Sequence, residues 1–329
     1  MRAPRYWYER PGVMSTLMAP VGAMYAAATA RRVARPPEVE PGVPVICIGN
    51  LNAGGTGKTP TAIFLAQRLV DRGLAPHVVT RGYGGAEVGP HRVDIKTDSA
   101  DRVGDEALLL AAFAPTWVAK DRAAGARAAE GAGAEVVLLD DGFQNPAVAK
   151  ALSVVVVDAQ KGFGNGLCIP AGPLREPVAA GLKRADLLLS IGSDGAQEAF
   201  ATRWGEAVSI PHLRGRLEPL PTGMPWRDLP VLAFAGIGHP EKFFATLQEL
   251  GANVLHAEPL TDHQPLTNAL MTRLAGDAKR LGAQLVTTEK DAVRLPAAFK
   301  HVVLPVPVRL VVDDPGPLEA ALDRILPQA

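Results

Sequence analysis

The sequence predicts an α/β fold with a parallel-sheet domain, a second and smaller α/β domain, and an N-terminal helix. Three observations support this prediction. Short apolar runs rich in valine, isoleucine and leucine alternate with helix-like segments between residues 45 and 190. A second set of such runs begins near Val231, after a proline-rich interval. An uncharged stretch flanked by arginines precedes both sets.

Length and composition are those of a globular protein with room for two cores. The chain has 329 residues, of which 47% are hydrophobic and 21% are charged. Lys and Arg total 34, as do Asp and Glu, so no overall positive charge favours nucleic acid as a partner. Cys47 and Cys168 suit neither a disulfide framework nor a zinc site, and they fit a reducing compartment.

A phosphate-binding loop is the strongest local motif. The apolar strand from Val45 leads into a loop of Gly54, Gly55, Thr56, Gly57, Lys58, Thr59 and Pro60, and a helix follows. In such a loop backbone N–H groups surround phosphate oxygens, Lys58 reaches the β- and γ-phosphates, and Thr59 can ligate Mg²⁺. Asn52 stands where the full pattern has its first glycine. The strand and helix context nevertheless predicts a nucleoside triphosphate site in a P-loop NTPase-like sheet.

The N-terminal segment between residues 13 and 30 carries no charge. A signal peptide is disfavoured by the nucleotide-binding loop, which would use a cytoplasmic nucleotide, and a membrane-spanning helix by Pro20 and by dilution with alanine. Two interpretations stay open from the residues alone: a helix lying in the membrane interface, or a soluble helix packed on the domain. The flanking arginines are Arg2, Arg5, Arg10, Arg31, Arg32 and Arg35.

Other candidate residues follow predicted strands or begin predicted helices. Arg81 follows one strand, and Asp140 and Asp141 end another, so all three are expected at the sheet edge where ligands bind. An apolar run that ends in aspartate is typical of P-loop proteins that bring a carboxylate to the metal. Asp105 and Glu106 begin a helix. One interpretation is that the helix dipole stabilises the two carboxylates and that they have no other role. The other is that they act as Mg²⁺ ligands or as a base.

Prolines between residues 204 and 230 predict a domain boundary. The predicted organisation is a membrane-associated helical segment at 1–35 and a P-loop core domain at 36–210. A linker at 211–230 and a C-terminal α/β domain at 231–329 complete it.

Eight motifs occur in an order that resembles the tetraacyldisaccharide 4′-kinase family, the lipid A 4′-kinases of Gram-negative bacteria. The resemblance covers nearly the full chain. It implies ATP- and Mg²⁺-dependent phosphorylation of the 4′-hydroxyl of tetraacyldisaccharide 1-phosphate, to form lipid IVA in lipid A biosynthesis. The motifs are Gly49-Asn50, Gly54 to Pro60, Arg81 to Tyr83, Gly104 to Glu106, Leu139 to Gln144, Gly172 to Glu176, Asp262-His263 and Thr288 to Ala292.

The resemblance also implies roles for individual residues. Lys58 would stabilise the transferring phosphoryl group, and Asp105, paired with His263 from the second domain, would take the proton of the 4′-hydroxyl. Gln144 would order the loop on the metal side. The implied Mg²⁺ ligands are Thr59, Asp141 and Glu106, and the implied substrate residues are Arg81, Arg122, Gln144 and Arg175.

An acylated substrate favours the interfacial helix over the soluble one. The resemblance therefore implies a peripheral, monotopic protein at the cytoplasmic face of the bacterial inner membrane, and we expect it to act as a monomer that binds lipid and not nucleic acid. Two other classes stay open. One is a P-loop NTPase switch of the partitioning or metallochaperone type, although Ala53 replaces the extra lysine of the two-lysine loop. The other is a nucleotide-binding membrane scaffold without catalysis.

Overall fold

The chain folds into two parallel sheets covered by helices, as seen in a computed structural model that describes residues 4–326. Arg2 lies outside the described residues. The helices are α1 (Val13–Val33), α2 (Lys58–Asp71), α3 (Ala100–Val103), α4 (Asp105–Ala111), α5 (Arg122–Gly131), α6 (Val178–Leu182), α7 (Asp194–Trp204), α8 (Pro240–Glu249), α9 (Asn268–Leu281), α10 (Glu289–Ala292) and α11 (Gly316–Ile325). The strands are β1 (Val45–Gly49), β2 (Pro76–Thr80), β3 (His91–Arg92), β4 (Thr116–Val118), β5 (Val136–Asp140), β6 (Leu152–Asp158), β7 (Leu187–Ile191), β8 (His212–Pro219), β9 (Pro230–Ala235), β10 (Asn253–Pro259), β11 (Gln284–Thr288), β12 (Val303–Val306) and β13 (Val308–Val312).

The larger sheet has nine strands in the order β13-β8-β7-β6-β1-β5-β2-β4-β3. The seven strands from β8 to β4 in this order are parallel, while β13 and β3 run antiparallel at the edges. Every residue of β1, β5 and β6 is buried, as expected for central strands covered on both faces. Because β1 lies between β5 and β6, the loop after β1 is flanked by the carboxyl ends of both neighbours.

Two hydrophobic cores cover the faces of the large sheet. On one face α2 packs with the C-terminal helix α11, and on the other face α5, α6 and α7 pack together with part of α1. The smaller sheet, β10-β9-β11-β12, is parallel throughout and is covered by α8 and α9. The predicted α/β fold, with its mostly parallel sheet and its N-terminal helix, is confirmed.

The division between the two sheets differs from the predicted domain boundaries. Residues 211–230 are predicted as a linker, yet β8 lies within them and extends the large sheet beside β7. Residues 231–329 are predicted as one domain, but β13 and α11 return to the large sheet. The dense prolines indicate irregular structure locally, whereas the pairing of β8 with β13 depends on residues about ninety positions apart, which local patterns do not reveal. We call residues 220–307 the small unit and the rest of the fold the large unit.

Helix α1 packs through small and polar residues and leaves its apolar side chains uncovered. An added Cβ at Gly22 would lie 2.7 Å from the carbonyl oxygen of Cys168, so the two backbones are in close contact there. Its buried residues are Ser15, Gly22 and Thr29, which share one face, and its exposed apolar residues are Val13, Met14, Leu17, Val21 and Met24. By length and composition alone, α1 is the one helix within residues 4–326 that could cross a membrane.

Replacing Leu322 by alanine should destabilise the large unit. This α11 side chain is fully buried in the core beside α2, and truncating such a leucine costs about 3 kcal/mol of unfolding free energy. Urea unfolding followed by circular dichroism measures the change. Leu281→Ala, at a leucine that is 45% exposed on α9, serves as the control and should cost less than about 0.5 kcal/mol. An unchanged free energy for Leu322→Ala would contradict the place of α11 in this core.

Candidate active site

The loop between β1 and α2 has the conformation that phosphate binding requires. Gly54 and Gly57 have φ angles of 112° and 97°, a region that favours glycine. At Gly57, which caps α2, an added Cβ would also lie 2.5 Å from Cδ1 of Ile191. The side chain of Asn50 donates to the carbonyl oxygen of Gly54 at 3.1 Å and to the hydroxyl of Thr56 at 3.2 Å, which fixes the shape of the loop. Free N–H groups at the start of α2 then face the space above β1.

Asn52 replaces the first glycine of the motif without disturbing the loop. Its backbone lies outside the left-handed region, so glycine is not needed there. Its buried side chain donates to the carbonyl oxygen of Gly162 at 3.0 Å, and the N–H of Ala53 donates to Pro173 at 2.7 Å. These contacts tie the phosphate-binding loop to the Gly- and Pro-rich segment that follows β6.

The two aspartates after β5 have different surroundings. Asp140 is 2% exposed; its Oδ2 accepts from the Thr80 hydroxyl at 3.1 Å, and its Oδ1 has no partner among the described residues. Burial raises the pKa of Asp140 to about 6. Asp141 lies in the left-handed region, with Oδ1 3.6 Å from Nζ of Lys58 and 2.9 Å from a guanidinium nitrogen of Arg175. Burial alone would raise the pKa of Asp141, but Lys58 and Arg175 hold it below its usual range.

A hydrogen bond joins the two units at the start of α4. Nδ1 of His263, from the small unit, donates to Oδ2 of Asp105, at the start of α4, at 2.9 Å. Asp105 is 4% exposed, and its Oδ1 accepts from the N–H of Glu106 at 2.9 Å. Burial would raise the pKa of Asp105, but the hydrogen bond from His263 and the positive charges of Lys290 and Arg294 together lower this pKa overall. The Asp105 carboxylate raises the pKa of His263 in turn.

The predicted substrate residues occupy both buried and exposed positions. Arg122 is 4% exposed and donates to the carbonyl oxygens of Ala119 and Asp140, while its Nε has no partner among the described residues. Buried Gln144 donates to the carbonyl oxygen of Asn50 at 2.8 Å and accepts from Arg175 at 3.3 Å. It therefore ties the end of β1 to the loop that carries Arg175. Arg81 is exposed at the end of β2.

A basic cleft of about 510 Å³ opens beside this site. It lies between the C-terminal end of α1 and the start of α5, where buried Arg122 forms part of its wall. Four cationic and two acidic side chains contribute to the lining, so the cleft favours an anion. The lining residues are Arg32, Arg35, Pro36, Glu38, Lys120, Asp121, Arg122, Asn145, Pro146 and Ala147.

Lys290 is a site residue that sequence reasoning did not assign a role. Its Nζ lies 3.2 Å from Oε1 of Glu106 and 3.5 Å from Nε2 of His263. In the sequence, the one signal for Lys290 is its position within the motif Thr288 to Ala292, and that position does not indicate a role for the side chain. The family resemblance implies Asp141 and Glu106 as the metal carboxylates, whereas the buried carboxylate oxygen at the end of β5 that has no partner among the described residues belongs to Asp140.

Comparison with known proteins decides the family. The sequence profile of the tetraacyldisaccharide-1-P 4′-kinase family matches residues 14–327. The chain belongs to this family. Relatives named tetraacyldisaccharide 4′-kinase include one from Jannaschia sp. (strain CCS1), 65% identical over 99% of both chains, and one from Dinoroseobacter shibae, 64% identical over 100% of this chain and 99% of its own.

A crystal structure of another family member has the same fold. It is of LpxK from Aquifex aeolicus in complex with ATP, with a TM-score of 0.78 at 24% sequence identity. The match covers 96% of this chain and 100% of that one. The α/β architecture with two sheets is therefore that of the tetraacyldisaccharide-1-P 4′-kinase family.

Replacing Asp140 by asparagine should stabilise the protein above neutral pH. A carboxyl whose pKa rises on folding contributes stability when protonated, and this contribution is lost as the pH rises toward the folded pKa of about 6. At pH 8 the buried charge is present, and its removal should raise the unfolding free energy by about 2 kcal/mol. Urea unfolding at pH 5 and pH 8 measures this, and the gain should be smaller at pH 5.

The matched control for this prediction is Asp71→Asn, at an exposed aspartate that ends α2. Its pH dependence should follow that of the parent protein. A gain of equal size at both pH values for Asp140→Asn would show that the buried charge is not its cause.

Proposed function

We propose that this chain transfers the γ-phosphoryl group of ATP to the 4′-hydroxyl of tetraacyldisaccharide 1-phosphate, yielding lipid IVA for lipid A biosynthesis. Membership of the tetraacyldisaccharide-1-P 4′-kinase family supports the reaction. The single observation that carries the mechanism is the 2.9 Å hydrogen bond between His263 and Asp105, which brings a carboxylate and an imidazole from separate units to one place. A hydroxyl nucleophile needs such a proton acceptor.

The proposed reaction is a direct transfer. The hydroxyl oxygen forms a bond to the γ-phosphorus while the bond from that phosphorus to the β–γ bridging oxygen breaks, ADP leaves, and the hydroxyl proton passes to Asp105. His263 holds that carboxylate in place. Lys58, at the start of α2, stabilises the charge on the phosphoryl oxygens together with the N–H groups of the loop. Positioning and charge stabilisation suffice, so no covalent enzyme intermediate is needed.

Mg²⁺ fits the oxygen-bearing residues around the loop. Asp140 supports this most directly, because its Oδ1 is buried without a partner among residues 4–326 and would be satisfied by a cation. Thr59, Asp141 and Glu106 add a hydroxyl and two carboxylates, which are the ligands that Mg²⁺ prefers. These four residues would hold the ion, and the ion would neutralise charge on the phosphate oxygens.

The basic cleft suits the phosphorylated head group of the lipid. The Nε of buried Arg122 has no partner within residues 4–326, and Arg32 and Arg35 lie at the end of α1, so the cleft offers several donors to a phosphate. Arg81 is exposed at the carboxyl end of β2 and is available to an anion. Arg175 contacts Asp141 in this structure and would add a further charge. These contacts would hold the sugar and phosphate groups while the acyl chains remain elsewhere.

The exposed apolar side chains of α1 would bind the protein to the membrane surface. The acyl chains of the substrate would lie in the same membrane. Leu17 and Met24 are 66% and 72% exposed, whereas a soluble amphipathic helix would bury such residues. Arginines at the end of α1 would meet anionic lipid. We infer a peripheral, monotopic attachment at the cytoplasmic face of the bacterial inner membrane, where ATP is available, by a monomer whose site is assembled within one chain.

A kinase assay tests the proposed reaction. With ATP, Mg²⁺ and tetraacyldisaccharide 1-phosphate, we expect the bisphosphorylated lipid as product, and His263→Ala should lower kcat about a hundredfold because the proton acceptor loses its support. His301→Ala, at an exposed histidine of the same unit, is the matched control. Undiminished product from Asp105→Ala and Lys58→Ala would refute the site assignment. ATP hydrolysis without phosphorylated lipid would favour a P-loop NTPase switch.

Acidic residues on the exposed face of α1 should strongly weaken membrane binding. The intact protein is expected to sediment with vesicles that contain anionic lipid at low salt. The double variant Leu17→Glu with Met24→Glu should lower the bound fraction about tenfold or more, because it removes apolar area and adds repulsive charge. Val70→Glu with Leu281→Glu changes two similarly exposed residues elsewhere and should bind like the parent. An intact protein that stays in the supernatant would contradict the attachment.

A further inference from the structure

The ammonium group of Lys290 lies next to the hydrogen-bonded pair of Asp105 and His263. Its Nζ lies 3.2 Å from Oε1 of Glu106, the residue that follows Asp105 in α4, and 3.5 Å from Nε2 of His263. One ammonium group therefore contacts the large unit and the imidazole ring together, on the side of the ring opposite Asp105. The Lys290 side chain is only 22% exposed, so its ion pair with Glu106 is partly shielded from water.

The backbone that carries Lys290 is firmly held. Lys290 lies in α10, where the Thr288 hydroxyl accepts from the N–H of Asp291 at 3.1 Å. Asp291 is fully buried and accepts from the N–H of Gly236 at 3.0 Å. Arg294 pairs with Asp291 and donates to the carbonyl oxygen of Gln264 at 2.7 Å. Because Gln264 adjoins His263, α10 and the turn that carries the imidazole are held as one piece.

The His263 ring has weaker restraints of its own. Its backbone N–H donates to Gly236 at 3.1 Å, in a left-handed turn that places the side chain toward α4. The ring is 29% exposed, and the Tyr83 ring lies 5.7 Å away between centroids. Oδ1 of Asp262 is 3.7 Å from Nε2, so a second carboxylate faces the ring at the nitrogen that does not bond to Asp105. The Lys290 ammonium lies on the same side of the ring and attracts the carboxylate of Asp262.

We propose that Lys290 is a positioning residue for phosphoryl transfer. Its ammonium group contacts Glu106 and holds the His263 ring in its hydrogen bond with Asp105. The inference rests on the proposed kinase function. Lys290 acts through the ring and does not itself touch the reacting atoms. Its loss would leave the ring free to turn toward Asp262, and a displacement of about 1 Å at a reacting centre costs up to about a hundredfold in rate.

A double-mutant cycle with His263 tests this role. Lys290→Met keeps the apolar stem and should lower kcat about tenfold while KM for ATP stays within about twofold, because ATP binds mainly through the loop. Lys290→Arg keeps the charge and should restore at least about half of the parent kcat. In a His263→Ala background Lys290→Met should have no further effect. Lys279→Met, at an exposed lysine of α9, is the matched control and should match the parent.

Two outcomes would overturn the inference. An equal fold loss from Lys290→Met with and without His263 would mean direct contact with the phosphoryl group or general damage to the fold. Failure of Lys290→Arg to restore activity would mean that the charge is not what matters. Lys290→Gln replaces the methionine variant if that variant does not fold.

A structural readout separates this inference from the kinase proposal. If the parent protein transfers no phosphate to the lipid, the proposed function fails in its own assay. A crystal structure of Lys290→Met then decides the inference without turnover. A His263 ring displaced from Asp105 supports the positioning role, and a ring still 2.9 Å from it, as in the parent, refutes it.

Discussion

The hydrogen bond from Nδ1 of His263 to Oδ2 of Asp105 joins the small unit to the large unit at the candidate active site. Asp105 is the first residue of α4, and His263 lies on a turn that is held by hydrogen bonds of Asp291 and Arg294. The β8–β13 pair brings the small unit back to the large sheet so that the turn can reach α4. The proton transfer proposed for Asp105 and His263 therefore depends on a constant distance between the large and the small unit.

The candidate active site contains buried polar atoms that lower the stability of the fold. Asp140 keeps a buried oxygen without a partner, and Arg122 keeps a buried nitrogen in the same condition, among the residues that the structure describes. Unpartnered buried polar groups destabilise a fold unless a ligand satisfies them. Charged groups of both signs converge at the carboxyl ends of β1 and β5, two central strands in which every residue is buried. Such local conflicts are expected where a protein is built to bind something else.

Much of this arrangement could be predicted from the sequence, because its signals are local. The loop from Gly54 to Pro60, the strand that ends at Asp140 and the helix that begins at Asp105 are each defined by neighbouring residues. Pairing over long distance could not be predicted in this way, and the returns of β13 and α11 to the large sheet were therefore missed. Lys290 was missed for the same reason, because its partners Glu106 and His263 are close only in three dimensions. The left-handed backbone of Asp141, just beyond the end of β5, is likewise not indicated by the apolar run that precedes it.

The small unit is an insertion between two neighbouring strands, since β8 ends at residue 219 and β13 begins at residue 308. In an unfolded chain, closing a loop of that length to pair the two strands carries an entropic penalty. Once the small unit has folded, its two ends already lie side by side. Burial of the hydrophobic core of the small unit then offsets most of the entropic penalty. The large sheet can therefore add its outermost strand as though it were closing a short hairpin. In this connectivity the inserted unit takes the place of the turn between the two strands that complete the edge of the larger sheet.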